Sequence, residues 1–229
     1  MPEWAGGRLA SPALAQHQGR LLLAVEGGNR GGVLFYEQSA KGDFALSDEM
    51  ETLYPADELE EAAGIGSPAF VSHDGVLRLF YTAHNEDGVT RIRESRWNDS
   101  GWEGYGTVLE PGKDCLDQDG LGIDCWDKSG VLDSDVRLAH TEAGDELLRL
   151  FYAGHSGKKM SLGFAASYGE GLFSRASINP VLGGSKDFRH PSSVFFKGRY
   201  LLFYEERVTG GREGVGLAES SGGSPSEFF

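Results

Sequence analysis

Ionisable side chains gather at two kinds of place in this sequence: just before an apolar run of strand length, and just after the run that follows it. The first kind offers Ser11, Ser67, Asp133 with Asp135, and Arg189 with His190. The second offers Glu26 with Asn29 and Arg30, His84 with Asn85, Glu86 and Asp87, His155, and Glu205 and Glu206 with Arg207. Carboxylates distributed in this way can do acid–base chemistry if two of them face each other in unlike surroundings, one ionised while the other keeps its proton. A separate loop, DCLDQDGLGIDCWD, holds Asp114, Asp117, Asp119, Asp124 and Asp127. Such a loop could gather the oxygen ligands of calcium, or be a solvated acidic loop. It lacks the EF-hand spacing, because Leu121 stands where an oxygen ligand should be and no glutamate closes it.

The elements that carry these residues form a repeat. SPALAQHQGRLLLAV from Ser11, SPAFVSHDGVLRLFY from Ser67, DSDVRLAHTEAGDELLRLFY from Asp133 and HPSSVFFKGRYLLFY from His190 align, the third being longer only at its turn. Each has two apolar runs parted by a Gly-bearing turn, the sequence form of a β-hairpin. A third run follows each hairpin (GGVLFYEQS, GVTRIRESRW, MSLGFAAS, GVGLAESS), then a shorter one (GDFAL, GWEGYGTV, GLFSRAS, PSEFF). Four strands per unit is the cadence of β-propeller blades. The expectation is an all-β chain, one propeller domain over 1–229, with four-stranded antiparallel blades near 8–48, 64–110, 129–178 and 187–229. Four repeats either close a small ring or form part of a larger one. The one helix-like stretch is ADELEEAAG, between the first two blades.

Composition agrees. Thirty-four glycines in 229 residues are about twice the usual share, which favours many tight turns and short strands. The net charge of −14 argues against a phosphate-binding surface and with it nucleic acid, and suits a neutral or cationic partner. No apolar run is long enough to span a membrane, and the start MPEWAGGRLASP lacks the regions of a signal peptide. A soluble protein is expected, cytoplasmic unless an export signal has been removed. The only cysteines, Cys115 and Cys125, are either free thiols or a loop-closing disulfide, and without nearby histidines they make a poor zinc site.

CWDKSGVLDSDVRLAHTEAGDELLRLFYAG, FRHPSSVFFKGRYLLFYEER and GSPAFVSHDGVLRLFYTAH resemble the blade motif of the five-bladed glycoside hydrolases of the arabinanase, xylosidase and invertase type. In that motif a strand opens on an Asp-Pro-Ser-like triplet and its partner ends in an aromatic pair followed by small residues. The resemblance implies a sugar-binding funnel lined by the strand starts and the loops after the second strands. It also implies hydrolysis of a neutral oligo- or polysaccharide by paired carboxylates. Asp133 holds the family's aspartate position and is the expected base; Glu206, which replaces a small residue in its column, or Glu26 is the expected acid. Substrate contacts would come from Asp135, His190, Arg189, His84, His155, Arg207, Ser67 and Ser11, with Trp126 as an aromatic platform. The sequence departs from the family where Ser11, Ser67 and His190 replace aspartates at the other strand starts. A non-catalytic propeller that binds sugar or protein through the same funnel is the alternative.

Overall fold

The computed structural model describes residues 9–27, 31–55, 61, 63–113, 115–116, 122–123, 125–140, 144–169, 171–208 and 212–221. Among these there is no helix, and every sheet pairing within a blade is antiparallel. The chain is an all-β propeller of repeated blades. It divides into two compact units, Met1–Val108 and Leu109–Phe229, each with two of the four repeats.

In the first unit, blade 1 is the sheet β1 (Leu9–His17), β2 (Arg20–Gly27), β3 (Val33–Gln38) and β4 (Phe44–Leu46). Blade 2 follows as β5 (Gly64–His73), β6 (Val76–His84), β7 (Thr90–Trp97) and β8 (Trp102–Leu109). In the second unit, β9 (Cys115–Leu116) and β10 (Gly122–Ile123) form a two-stranded ladder in the Asp-rich loop. Blade 3 is β11 (Gly130–His140), β12 (Glu146–His155), β13 (Met160–Ser167) and β14 (Ser174–Arg175). Blade 4 is β15 (Asp187–Phe196), β16 (Arg199–Val208) and β17 (Arg212–Glu219), three strands among the described residues. PSEFF, the expected fourth strand, lies outside them. So do residues 56–60 and 62 of the helix-like stretch, in which Glu61 is buried and Gly64 already opens β5.

Strand alternation gives each blade two faces, and within each unit one face of the first blade packs on one face of the second. In the first unit one face of blade 1, with Leu22, Ala24, Val33 and Phe35, forms a single cluster with Phe70, Leu77, Leu79 and Tyr81 of blade 2. Phe35 and Phe70 lie 5.6 Å apart between ring centroids, and Trp102 stacks on Phe35 at 4.8 Å. In the second unit Phe151, Ala153 and Leu162 of blade 3 meet Phe188, Tyr200 and Leu202 of blade 4. We call the first member of each junction the forward face and the second the rear face. A Leu or Phe fully buried here contributes about 1.5–3 kcal/mol.

One irregularity recurs in all four blades. The pairing of the first two strands slips between Ala10 and Ala13, Gly66 and Ala69, Leu132 and Asp135, and Arg189 and Ser192. At each slip the first residue of the repeat is left-handed: Ser11 (φ 49°), Ser67 (φ 47°), Asp133 (φ 54°) and His190 (φ 48°). The aligned letter of the repeat is therefore a β-bulge residue. Bulges re-aim one side chain and locally interrupt the ladder.

Candidate functional site

The residue before each bulge pairs with one column of the second strand: Ala10 with Glu26, Gly66 with Thr82, Leu132 with Ala153, and Arg189 with Glu205. Bulge residue and column residue thus lie at the same end of each blade. In the second unit this end brings ionisable groups together. Asp133, whose side chain is only 6% exposed, has Oδ2 3.4 Å from His190 Nδ1. The other ring nitrogen of His190, Nε2, lies 3.5 Å from Glu205 Oε2. His190 is half-exposed, and Glu205 also has Arg207 at 3.9 Å. An imidazole thus stands between two carboxylates from different blades. At 3.4 and 3.5 Å both contacts are longer than the roughly 2.7–3.2 Å of a formed hydrogen bond.

Glu206, the next residue along β16, points to the opposite face of the sheet and forms an ion pair with Lys186 at 2.6 Å. The carboxylate that reaches His190 is therefore Glu205. The pairing register carries the signal for this, because Glu205 shares a column with Glu26 and lies opposite the residue that precedes the bulge. Lys186, just before β15, was not among the candidates. Arg207 is bonded to Glu213. Arg189 is half-buried, with Nε enclosed and without a hydrogen-bond partner.

Asp135 is placed differently from the expected sugar ligand. Two residues beyond the bulge, its Oδ2 accepts the Ser193 N–H at 2.8 Å and the Ser193 hydroxyl, while Oδ1 pairs with Arg137 at 2.9 Å. It is a buried strut between the inner strands of blades 3 and 4, and it sets Asp133 against His190. Trp126 likewise packs inward. Its ring lies where a side chain on Gly154 or Gly163 would be and is 5.5 Å from the Tyr152 ring. Beneath it Asp127, fully buried, accepts from Arg175 Nε at 2.8 Å and from the Tyr152 hydroxyl at 3.3 Å. Burial, reinforced by Asp127, pushes the Tyr152 phenol up. Arg175 also donates to the Glu110 carbonyl. Asp127 is thus engaged by an arginine and a tyrosine through Oδ2, while its Oδ1 is buried without a hydrogen-bond partner. Asp114, Asp117, Asp119 and Asp124 lie outside the described residues, and Cys125 is disulfide-bonded.

In the first unit Glu26 reaches across to blade 2. Its Oε2 accepts the Ser67 N–H at 3.0 Å, and its carboxylate occupies the space above Gly66. It holds the bulge of the next blade, a place only a glycine leaves open. Ser11, Ser67 and His84 are half-buried at the same ends of blades 1 and 2, and His155 is half-buried at the end of β12. Asn29 and Arg30 lie outside the described residues.

No protein-family model matches this chain, and no curated protein does. Solved structures do. A family 117 glycoside hydrolase from the marine bacterium Zobellia galactanivorans superposes with a TM-score of 0.74 at 13% identity, covering 100% of this chain and 70% of its own. A structure from the GH130 family, mannoside phosphorylases that include glycoside hydrolases targeting β-1,2 mannosidic linkages in Candida mannan, gives 0.68 at 14% identity, covering 99% and 70%. A glycosyl hydrolase from Bacteroides ovatus gives 0.68 at 14%, covering 99% and 71%. At these identities the likeness is one of fold: the chain has the β-propeller architecture of glycoside hydrolases.

Proposed function

We propose that the chain hydrolyses a glycosidic bond in a neutral oligo- or polysaccharide, with Asp133 as the base and Glu205 as the acid. The observation that carries this reading is the line Asp133–His190–Glu205 at the bulge end of blades 3 and 4. With an imidazole between them, the two carboxylates are no more than about 9 Å apart, under the upper end of the roughly 6.5–9.5 Å range of inverting pairs. Water attacks the anomeric carbon and gives its proton to one carboxylate, while the other carboxyl protonates the leaving oxygen as the C–O bond breaks. His190 supports the required asymmetry. Its two ring nitrogens address one carboxylate each, Nδ1 toward Asp133 and Nε2 toward Glu205, so the two carboxylates meet the ring at different atoms. Its half-exposed ring is also free to turn toward a sugar hydroxyl. Glu206 and Glu26 serve this chemistry less directly, being held by Lys186 and by the Ser67 N–H.

The second reading, a propeller that binds a glycan without turning it over, is favoured by the same engagement of Glu206 and Glu26 and by the serines at two of the four bulges. A panel of neutral oligosaccharides assayed for reducing ends separates the two. Hydrolysis by the parent that falls by about 10²- to 10⁴-fold in both Asp133→Asn and Glu205→Gln supports the enzyme. Binding by the parent with no turnover, lost in His190→Ala, establishes the binder and sinks the enzyme. Equal activity in parent and Glu205→Gln, with loss in Glu206→Gln, moves the acid to Glu206.

A further inference from the structure

The pairing register matches positions across the four blades, and on two faces, among the described residues, positions that are buried in the other blades are exposed. On the forward face, the second-strand position held by Ala24, Phe80 and Phe151 is 0%, 0% and 1% exposed in blades 1 to 3, but its equivalent in blade 4, Phe203, is 40% exposed. The third-strand position held by Val33, Ile92 and Leu162 is fully buried in the same three blades, whereas Val215 is 84% exposed. Leu217, paired with Phe203, is 55% exposed. On the rear face, Phe70 with Leu79, Val136 with Leu150 and Ser193 with Leu202 are buried pairs in blades 2 to 4. In blade 1 the equivalent row runs Leu14, Leu23, Tyr36, Leu46 across all four strands, with Leu14 and Leu46 exposed.

The two bare faces are the two halves of a junction this chain already makes twice, forward aliphatic and aromatic residues against a rear row of Leu and Tyr. We propose that blade 4 of one copy docks through Phe203, Val215 and Leu217 onto the Leu14–Leu23–Tyr36–Leu46 row of blade 1 in a second copy. The partner is a second copy because the chain carries both complementary surfaces. Exposed apolar sheet faces of this kind mark association sites. The contact is heterologous, so it propagates head to tail until it closes.

Light scattering coupled to size exclusion tests this. The parent is expected to show a mass of two chains or more that falls toward one on dilution. Leu217→Lys and Leu14→Lys, both at exposed positions, are expected to be monomers with the far-UV spectrum of the parent. An equimolar mixture of the two should give a dimer and nothing larger, since each variant keeps the one face the other lacks. A parent that stays monomeric at every concentration overturns the proposal, as does recruitment of a different chain to Phe203 by a monomeric parent. Association that survives Leu217→Lys and Leu14→Lys together also overturns it. If either substitution unfolds the chain, Val215→Glu and Leu46→Lys replace them at positions that are likewise exposed.

Discussion

Replacing Asp135 by alanine should loosen the chain and the site together. Its carboxylate is buried and receives the Ser193 N–H at 2.8 Å and the Ser193 hydroxyl, with Arg137 at 2.9 Å on the other oxygen. Ser193 is itself 3% exposed, so the alanine leaves a donor pair with little access to water. Each such group costs about 1–3 kcal/mol when its partner is removed. The Arg137 side chain is 48% exposed, and its half of the arrangement is worth no more than about 1 kcal/mol. Asp135→Ala should therefore lower stability by about 2–7 kcal/mol, a large part of the 5–15 kcal/mol typical of a domain. Asp135→Asn keeps an acceptor for the N–H and should lose about half as much. Urea unfolding at constant m-value measures both. Because the strut joins the strands that carry Asp133 and His190, the asparagine variant should also lose turnover or glycan affinity while still folded. An alanine variant that unfolds at the same urea concentration as Arg137→Ala would refute the strut.

The buried Glu94 carboxylate bonds Arg78 at 2.7 and 2.8 Å and Arg96 at 2.6 Å, so Glu94→Gln should destabilise by about 3 kcal/mol. Arg78→Leu with Glu94→Phe, which installs the Leu22 and Phe35 that blade 1 has at these positions, should recover most of that loss in the same urea experiment. Gly154→Ala would push a methyl group into the Trp126 ring and to 2.6 Å from the Asp127 β-carbon, lowering stability by about 1–3 kcal/mol; an unchanged melting temperature would contradict the packing. Burial holds His17 below its ordinary 6.5, against the pull of Asp99. The unfolded chain then takes up the proton more readily than the folded one, so this contribution to stability is present above about pH 6.5 and is lost as pH falls through the folded value. His17→Gln should flatten the stability profile on the acid side, and an unchanged slope would show that another group causes it.

The repeat was legible because hairpins with Gly-bearing turns recur with alternating apolar residues, and periodicity of that kind survives without any tertiary knowledge. What it could not convey was the bulge. One extra residue at Ser11, Ser67, Asp133 and His190 reverses which face the following side chains take, so a flat reading of DSD makes Asp135 a ligand when it is a strut. The same parity separates Glu205 from Glu206, two letters that look equivalent in EER. Trp126 misleads for another reason. It neighbours the Asp-rich loop in sequence, but its ring fills the hollow over Gly154 and Gly163, and two glycines more than twenty residues away do not announce a partner. Arg78 and Glu94 are charged letters inside apolar strands, and their burial rests on pairing inside the sheet, Glu94 taking both Arg78 and Arg96.

The four bulges also bear on how such a chain divides structure from chemistry. A left-handed residue other than glycine costs about 1–2 kcal/mol, and glycine would remove that cost, yet none of the four positions has it. The same fold feature carries Ser twice, Asp once and His once, and the Asp and the His meet. In the first unit Glu26 of blade 1 holds the bulge of blade 2 through the Ser67 N–H, a backbone contact indifferent to the side chain it positions. In blades 3 and 4 the strut from Asp135 to Ser193 takes over the holding, which leaves Asp133, His190 and Glu205 to face one another. The ionisable groups that face one another, Asp133, His190 and Glu205, lie in the second unit, where Asp135 rather than the carboxylate at the bulge end takes the Ser193 N–H.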